Sequence, residues 1–205
     1  MQSGFPNIRH MRVFVETART GSVSTAAELC HLSQPAASQA VAGLETYFGT
    51  PLFMSNRQRS ALTTCGILVE RRTRAAMKHL RDGAKNALRE ASNKEVHRQT
   101  FELSVTASQL RNLIAIANAG SFTVAARTLG LSQPTIHRAA RNLEAIAGTP
   151  FFTARASGVR LTAAADAFMR GAKLAQNEIR QAVEDISREN GLERGTFVLG
   201  SLPFA

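Results

Sequence analysis

The chain has 205 residues, 44% of them hydrophobic, enough to bury one sizeable core or two small ones. Its 25 Lys and Arg against 15 Asp and Glu leave a net charge of +10, which favours polyanionic partners through long-range attraction and counterion release. Arg outnumbers Lys, and a planar guanidinium is the better fork for phosphate oxygens and guanine edges.

Two cysteines, Cys30 and Cys65, are too few for a disulfide framework and form no CxxC pair, which fits a reducing cytoplasm. No run approaches the ~20 apolar residues of a membrane span, and residues 1–11 hold no apolar signal core, so no membrane partner is expected. His10, His31, His79, His97 and His137 show no metal-ligand spacing, and no Gly-rich phosphate loop occurs. No catalytic residue, metal site or resident cofactor is expected, and the chain does not read as an enzyme.

The chain repeats itself. Gly21-Ser22, Ala26-Ala27, Leu32-Ser33-Gln34-Pro35, Leu44-Glu45, Gly49-Thr50-Pro51, Phe53 and Leu62-Thr63 return, 99 residues later and without a gap, as Gly120-Ser121, Ala125-Ala126, Leu131-Ser132-Gln133-Pro134, Leu143-Glu144, Gly148-Thr149-Pro150, Phe152 and Leu161-Thr162. The chain is therefore two copies of one unit with a remnant behind them.

In chain order, Asn7 predicts an N-cap for a helix ending near Thr20, with Met11, Phe14, Val15 and Ala18 on its buried face. Gly21 ends that helix, and Ser24 is expected to cap a short second one holding Ala26-Ala27. Ser33 caps a third, with Pro35 in its first turn and Ala37, Val41, Leu44 and Phe48 facing inward. Two short helices joined by a tight turn, the second capped and exposed, form a helix-turn-helix pattern. Gly49-Thr50-Pro51 stops the third helix; Leu52-Phe53 and Ala61-Leu62-Thr63 then flank the basic tip Asn56-Arg57-Gln58-Arg59-Ser60 as a β-wing would. Residues 64–91 read as one long helix striped by Val69, Ala76, Leu80, Ala84 and Ala87.

The second copy has Thr106 and Thr123 as the matching first and second caps, with Leu110, Leu113, Ile114 and Ala117 as the first stripe. Ser132 caps its third helix, whose inner face is Ile136, Ala140, Leu143 and Ala147. Its wing tip runs from Arg155 to Arg160, and its long helix, 163–189, carries Phe168, Ala175, Ile179, Val183 and Ile186. The expected fold is mainly α: two tandem winged helix-turn-helix domains, each followed by a long linker helix, with short β-wings. The boundaries read 1–63, 64–92, a connector at 93–105, 106–162, 163–190 and a remnant at 191–205.

The run Gly-Ser-x-x-x-Ala-Ala-x-x-x-x-Leu-Ser-Gln-Pro, followed by Leu-Glu, Gly-x-Pro-x-Phe and Leu-Thr, resembles the DNA-binding domain of LysR-type transcriptional regulators, a bacterial family, and does so twice. The resemblance implies sequence-specific binding of double-stranded DNA by a cytoplasmic, nucleoid-associated regulator. It also implies linker helices that pair antiparallel, either within the chain as a pseudo-dimer or between chains as a homodimer. Residues 194–205 look like the start of the family's effector domain, cut off soon after it begins, so a small-molecule effector is expected only for that missing domain. The family member usually has one DNA-binding domain, so the duplication departs from the pattern.

With the inward positions removed, the first recognition helix presents Gln34, Ala36, Ser38, Gln39 and Ala42, and the second Gln133, Thr135, His137, Arg138 and Arg141. The two heads differ in chemistry, which predicts an imperfect dyad operator. Arg57, Arg59, Arg155 and Arg160 on the wings are expected at phosphates or in the minor groove. A non-specific architectural DNA binder, or one winged module turned to protein–protein interaction, are the competing readings. Gln34 and Gln133 could serve as caps instead, Cys30 reads as a packing residue, and Arg71-Arg72-x-Arg74 reads as a solvated face or a contact to flanking phosphate.

Overall fold

The computed structural model describes residues 4–54, 61–90, 101–155 and 158–191. The first copy folds as α1 (Ile8–Thr20), α2 (Val23–Cys30) and α3 (Gln34–Phe48), followed by α4 (Thr64–Glu90). A single-turn helix, α5 (Phe101–Ser104), precedes the second copy: α6 (Ala107–Ala119), α7 (Phe122–Leu129), α8 (Gln133–Ala147), the hairpin β1 (Phe152–Arg155) and β2 (Gly158–Leu161), and α9 (Ala163–Glu189). The architecture is mainly helical, with two helix-turn-helix modules and short wings, in keeping with the sequence reading.

Caps explain where the helices start and stop. Asn7 accepts the N–H of Arg9 and Thr106 forms a reciprocal capping box with Gln109. Gly21, Gly49, Gly120 and Gly148 end four helices in the left-handed region, where a side chain would be strained. The second helices are capped two residues earlier than expected: Ser22 accepts from Thr25 and Ser121 from Val124, while Ser24 and Thr123 lie within the helices. The extended backbone of the residue after each Gly makes Ser22 and Ser121 the caps, and the spacing to Ala26 and Ala125 does not reveal this.

Among the described residues, three apolar clusters hold the fold together. Val13, Ala27, Ala37, Ala40 and Val41 fill the first helix-turn-helix, and Ile116, Ala125, Ala126, Ile136 and Ala140 fill the second. The third cluster runs from Phe14, Leu44 and Leu52 through the stripes of both long helices to Phe151 and Leu143. The expected stripe residues of α4 are all buried; in α9, Ala172 and Ala182 are buried while Val183 is only half-buried. The two long helices pair with each other and run antiparallel, because Cys65 meets Asn190, Arg72 meets Asp185 and Gly83 meets Gly171. Each N-terminus, where its module joins, therefore lies at an opposite end of a pair on the order of 40 Å long.

The wings differ. In the second copy, Phe152↔Leu161 through Arg155↔Gly158 form a regular antiparallel hairpin. In the first, Phe53 and Leu62 form an isolated bridge. The expected tip with Arg57 and Arg59, the effector remnant at 194–205 and most of the connector lie outside the described residues.

Candidate nucleic-acid interface

The recognition helices α3 and α8 begin alike. Ser33 accepts the N–H of Ala36 and Ser132 that of Thr135, with Pro35 and Pro134 in the first turn where no intrahelical donor is required. Burial of Ala37, Ala40, Val41 and Leu44 turns the opposite edge of α3 outward; Ile136, Ala140 and Leu143 do the same for α8. Gln34, Ser38, Gln39 and Ala42 are exposed on α3, and Gln133, Thr135, Arg138 and Arg141 on α8. The serines hold the caps, and the side chains of Gln34 and Gln133 make no hydrogen bond to described residues, which leaves their amides available.

Three of the expected contact residues are partly engaged. Ala36 is half-buried. Thr135 Oγ1 lies 2.8 Å from Ser132 Oγ, so its hydroxyl is shared with the cap. His137 is half-buried and stacks on Phe122 of α7, with ring centroids 4.1 Å apart and planes 32° from parallel. The stack fixes the imidazole at the edge of the exposed face.

On the second wing, Arg155 and Arg160 are exposed. Register places Thr153 opposite Arg160, and residues two apart on a strand share a face, so both guanidiniums leave the same side of the hairpin. With Lys173 of α9 they border a shallow groove floored by Ala117 and Leu161, with one acidic residue, Asp166, beside it. Arg138, Arg141, Arg155 and Arg160 have no ion-pair partner among the described residues. Their charge is therefore free to meet an anion.

Sequence reasoning missed the residues that hold these parts in place. Glu45 Oε1 accepts the N–H of Leu52 at 2.8 Å, and Glu144 Oε1 those of Phe151 at 2.8 Å and Phe152 at 3.0 Å. Thr63 and Thr162 each donate to the carbonyl of a proline, Pro51 and Pro150, at 2.8 Å, and accept an N–H from the first turn of the following long helix. The Leu-Glu, Gly-x-Pro and Leu-Thr pieces of the repeat are one clamp joining recognition helix, wing and linker helix. Their fixed spacing in both copies was the available signal.

Arg72 also departs from expectation. It faces neither solvent nor a flanking phosphate but turns into the α4–α9 interface, where Nε donates to Asp185 at 2.9 Å and Nη1 to Glu178 at 3.1 Å. Arg71, 3.6 Å from Asp185, and Arg74, paired with Glu70, keep 65% and 66% of their side chains exposed, so these two lie on a solvated face as expected. Cys30 is half-buried against the first helix-turn-helix core, and burial pushes its thiol up, with Arg12 opposing; this agrees with a packing role. Among the described residues no helix is long and apolar enough to cross a membrane, and no cluster of His, Cys, Asp and Glu could hold a metal ion.

Comparison with known proteins matches the model of the bacterial regulatory helix-turn-helix proteins of the LysR family at residues 8–67 and again at 107–166. The HTH-type transcriptional regulator GalR of Pseudomonas putida is 30% identical over 198 residues, which is 97% of this chain and 48% of GalR. The chain thus spans about half the length of that relative. BudR of Klebsiella aerogenes is 43% identical over 63 residues, 31% of this chain and 44% of BudR. A solved complex of the CbnR DNA-binding domain with DNA is 37% identical over 41% of this chain and 95% of its own, with a TM-score of 0.36. Two copies of one family module, each with its capped third helix and wing, make this chain a member of the LysR family of bacterial helix-turn-helix regulators.

Proposed function

We propose that the chain binds double-stranded DNA sequence-specifically and regulates transcription, with α3 and α8 as two non-identical reading heads on an imperfect dyad operator. One observation carries this reading: both heads expose the polar edge of an N-capped helix, and the two edges differ. The α3 edge is neutral, with Gln34, Ser38 and Gln39; the α8 edge adds Arg138 and Arg141. Gln pairs with adenine and Arg with guanine in the major groove, so the half-sites should differ in base content. Ala36, Thr135 and His137 complete the two edges.

The wing arginines Arg155 and Arg160, with Arg57 and Arg59 of the first wing, are assigned to phosphates or the minor groove, where they set affinity and position more than sequence. Paired antiparallel linker helices would hold the heads about one turn of duplex apart, roughly 34–36 Å, or a multiple of it. The bacterial cytoplasm, at the nucleoid, is the place for this activity. Selecting bound sequences from a random duplex pool tests the reading. The expected result is two unequal half-sites at fixed spacing and a large affinity ratio over random duplex; equal affinity for all duplexes would instead indicate an architectural binder.

A further inference from the structure

The α4–α9 interface is not symmetric, although the helices are copies. Register 99 maps Arg72 onto Gly171 and Gly83 onto Ala182. Arg72 inserts its guanidinium among Asp185, Glu178 and Gln181 of α9, hydrogen-bonding to all three side chains. At the equivalent place on the other side stands Gly171, where the backbones close up: a Cβ there would lie 2.6 Å from the His79 carbonyl oxygen and 2.9 Å from Gly83 Cα. One end of the pair is an ionic socket and the other a backbone contact.

We infer that these two features form a pairing code that makes α4 and α9 select each other and not their own kind, so that the linker helix of each copy is matched within the chain and presents no equivalent face to a second copy. The inference stands on the helix pair alone and does not depend on the DNA-binding reading.

Homotypic pairing in the same register fails in both forms. Placing a second α4 on α4 would put the Cβ of its Arg72 where Gly171 stands, against the His79 carbonyl and Gly83. Its Arg72 would face His79, Asp82 and Asn86 in place of Glu178, Gln181 and Asp185, leaving one carboxylate of two. Placing α9 on α9 would set Asp185, 7% exposed, and Glu178, 18% exposed, opposite a glycine with no guanidinium. Arg188 on the same helix, 3.1 Å from Asp185, and Arg170, the counterpart of Arg71, would still be near, but neither enters the interface as Arg72 does. Stranding a buried Asp185 beside a half-buried Glu178 in this way is costly.

The connection favours the partner within the chain. Phe101 packs beside Phe168 and Phe151, and Glu102 lies 3.9 Å from Arg81 of α4, so the chain returns alongside the helix it has just left. From Glu90 back to the level of Arg81 is roughly 14 Å of helix, whereas ten intervening residues reach about 33–36 Å. A tether this short gives α9 a high effective concentration at α4.

Sedimentation of the chain from nanomolar to high micromolar concentration, combined with thermal unfolding, tests the code. The expected result is a single 22.1 kDa species throughout. In Arg72→Glu, which faces two carboxylates, the unfolding midpoint should fall by roughly 5–10 °C, and Arg72→Glu combined with Glu178→Arg should recover at least half of that fall. A species of twice the mass that grows with concentration in the unmodified chain overturns the inference. So does a midpoint unchanged in Arg72→Glu, or one lowered equally in the double variant, which would leave Arg72 a packing residue only. If Arg72→Glu does not fold, the mass of the unmodified chain still decides.

Discussion

Glu45 at the end of α3 accepts the backbone N–H of Leu52 at 2.8 Å, bridging the Gly49-Thr50-Pro51 stop that separates recognition helix from wing. Glu144 and Phe151 repeat the bond in the second copy, also at 2.8 Å, and Phe152 adds a second donor at 3.0 Å. A charged acceptor on two backbone donors is about twice as strong as a neutral pair, and Leu52 and Phe151 are fully buried. Glu144→Ala should therefore cost about 1–3 kcal/mol of stability, read by urea unfolding, with Glu45→Ala somewhat less because its second bond is long at 3.4 Å. A midpoint equal to the unmodified chain for both would show the clamp to be incidental.

Gly66 is required by the same junction. A Cβ on it would fall 2.0 Å from the Leu52 carbonyl oxygen, a backbone atom that the clamp holds in place. The second copy has Ala165 at this position, fully buried and accommodated. Gly66→Ala should destabilise the first module by roughly 1–3 kcal/mol through overpacking, although Ala is the better helix former. Stabilisation would mean that the first wing yields easily to match the second.

Asn112 is buried at 4% exposure in α6, and its Oδ1 has no hydrogen-bond partner among the described residues. The first copy has Val13 there, fully buried in its helix-turn-helix core. Asn112→Val removes an unsatisfied acceptor and supplies a shape that the homologous core already packs, so stability should rise by about 1–2 kcal/mol. Urea unfolding measures it, and a loss of stability would indicate a bonded amide in solution.

The helices were legible because each carries local signals that agree: Asn7, Ser33, Thr106 and Ser132 as caps, glycines at the ends, and stripes at 3.6 spacing. The exposed edges of α3 and α8 followed by subtraction. The roles of Glu45, Glu144 and Arg72 were not legible, since each depends on a partner seven or more residues away. Arg72 in particular sits in a run of arginines that any single-helix reading assigns to solvent. Only the antiparallel register with α9, which brings Asp185 within 2.9 Å, shows which of the three is turned inward.

His10 supplies a pH dependence. Its ring lies against Gly43 of α3, whose added Cβ would be 2.7 Å from Nδ1, and burial lowers its pKa from the usual 6.5. The folded chain then binds this proton less readily than the unfolded chain does. The favourable neutral state is fully present above pH 6.5 and its contribution is lost as pH falls from there through the lowered folded value. Unfolding midpoints measured from pH 7.5 down to 5 should therefore decline, and His10→Gln, which installs the residue the second copy has at Gln109, should flatten that part of the decline. An identical slope in the variant would assign the decline to other groups.

Arg138 separates sequence reading from phosphate attraction. It is exposed one turn into α8, without an ion-pair partner among the described residues, on the edge that the α3 head leaves neutral at Gln39. If it reads a guanine, Arg138→Ala should cost about 1–3 kcal/mol on the selected operator and relax base preference in one half-site only. Arg160→Ala on the wing should instead weaken binding to selected and random duplex alike and reduce the salt slope by about one. Titrating both variants against the operator, against an operator with each half-site scrambled and against random duplex, at two salt concentrations, distinguishes the two. Equal losses for Arg138→Ala on every duplex would place it on the backbone and remove the chemical reason for unequal half-sites, leaving α8 a basic helix that docks without reading.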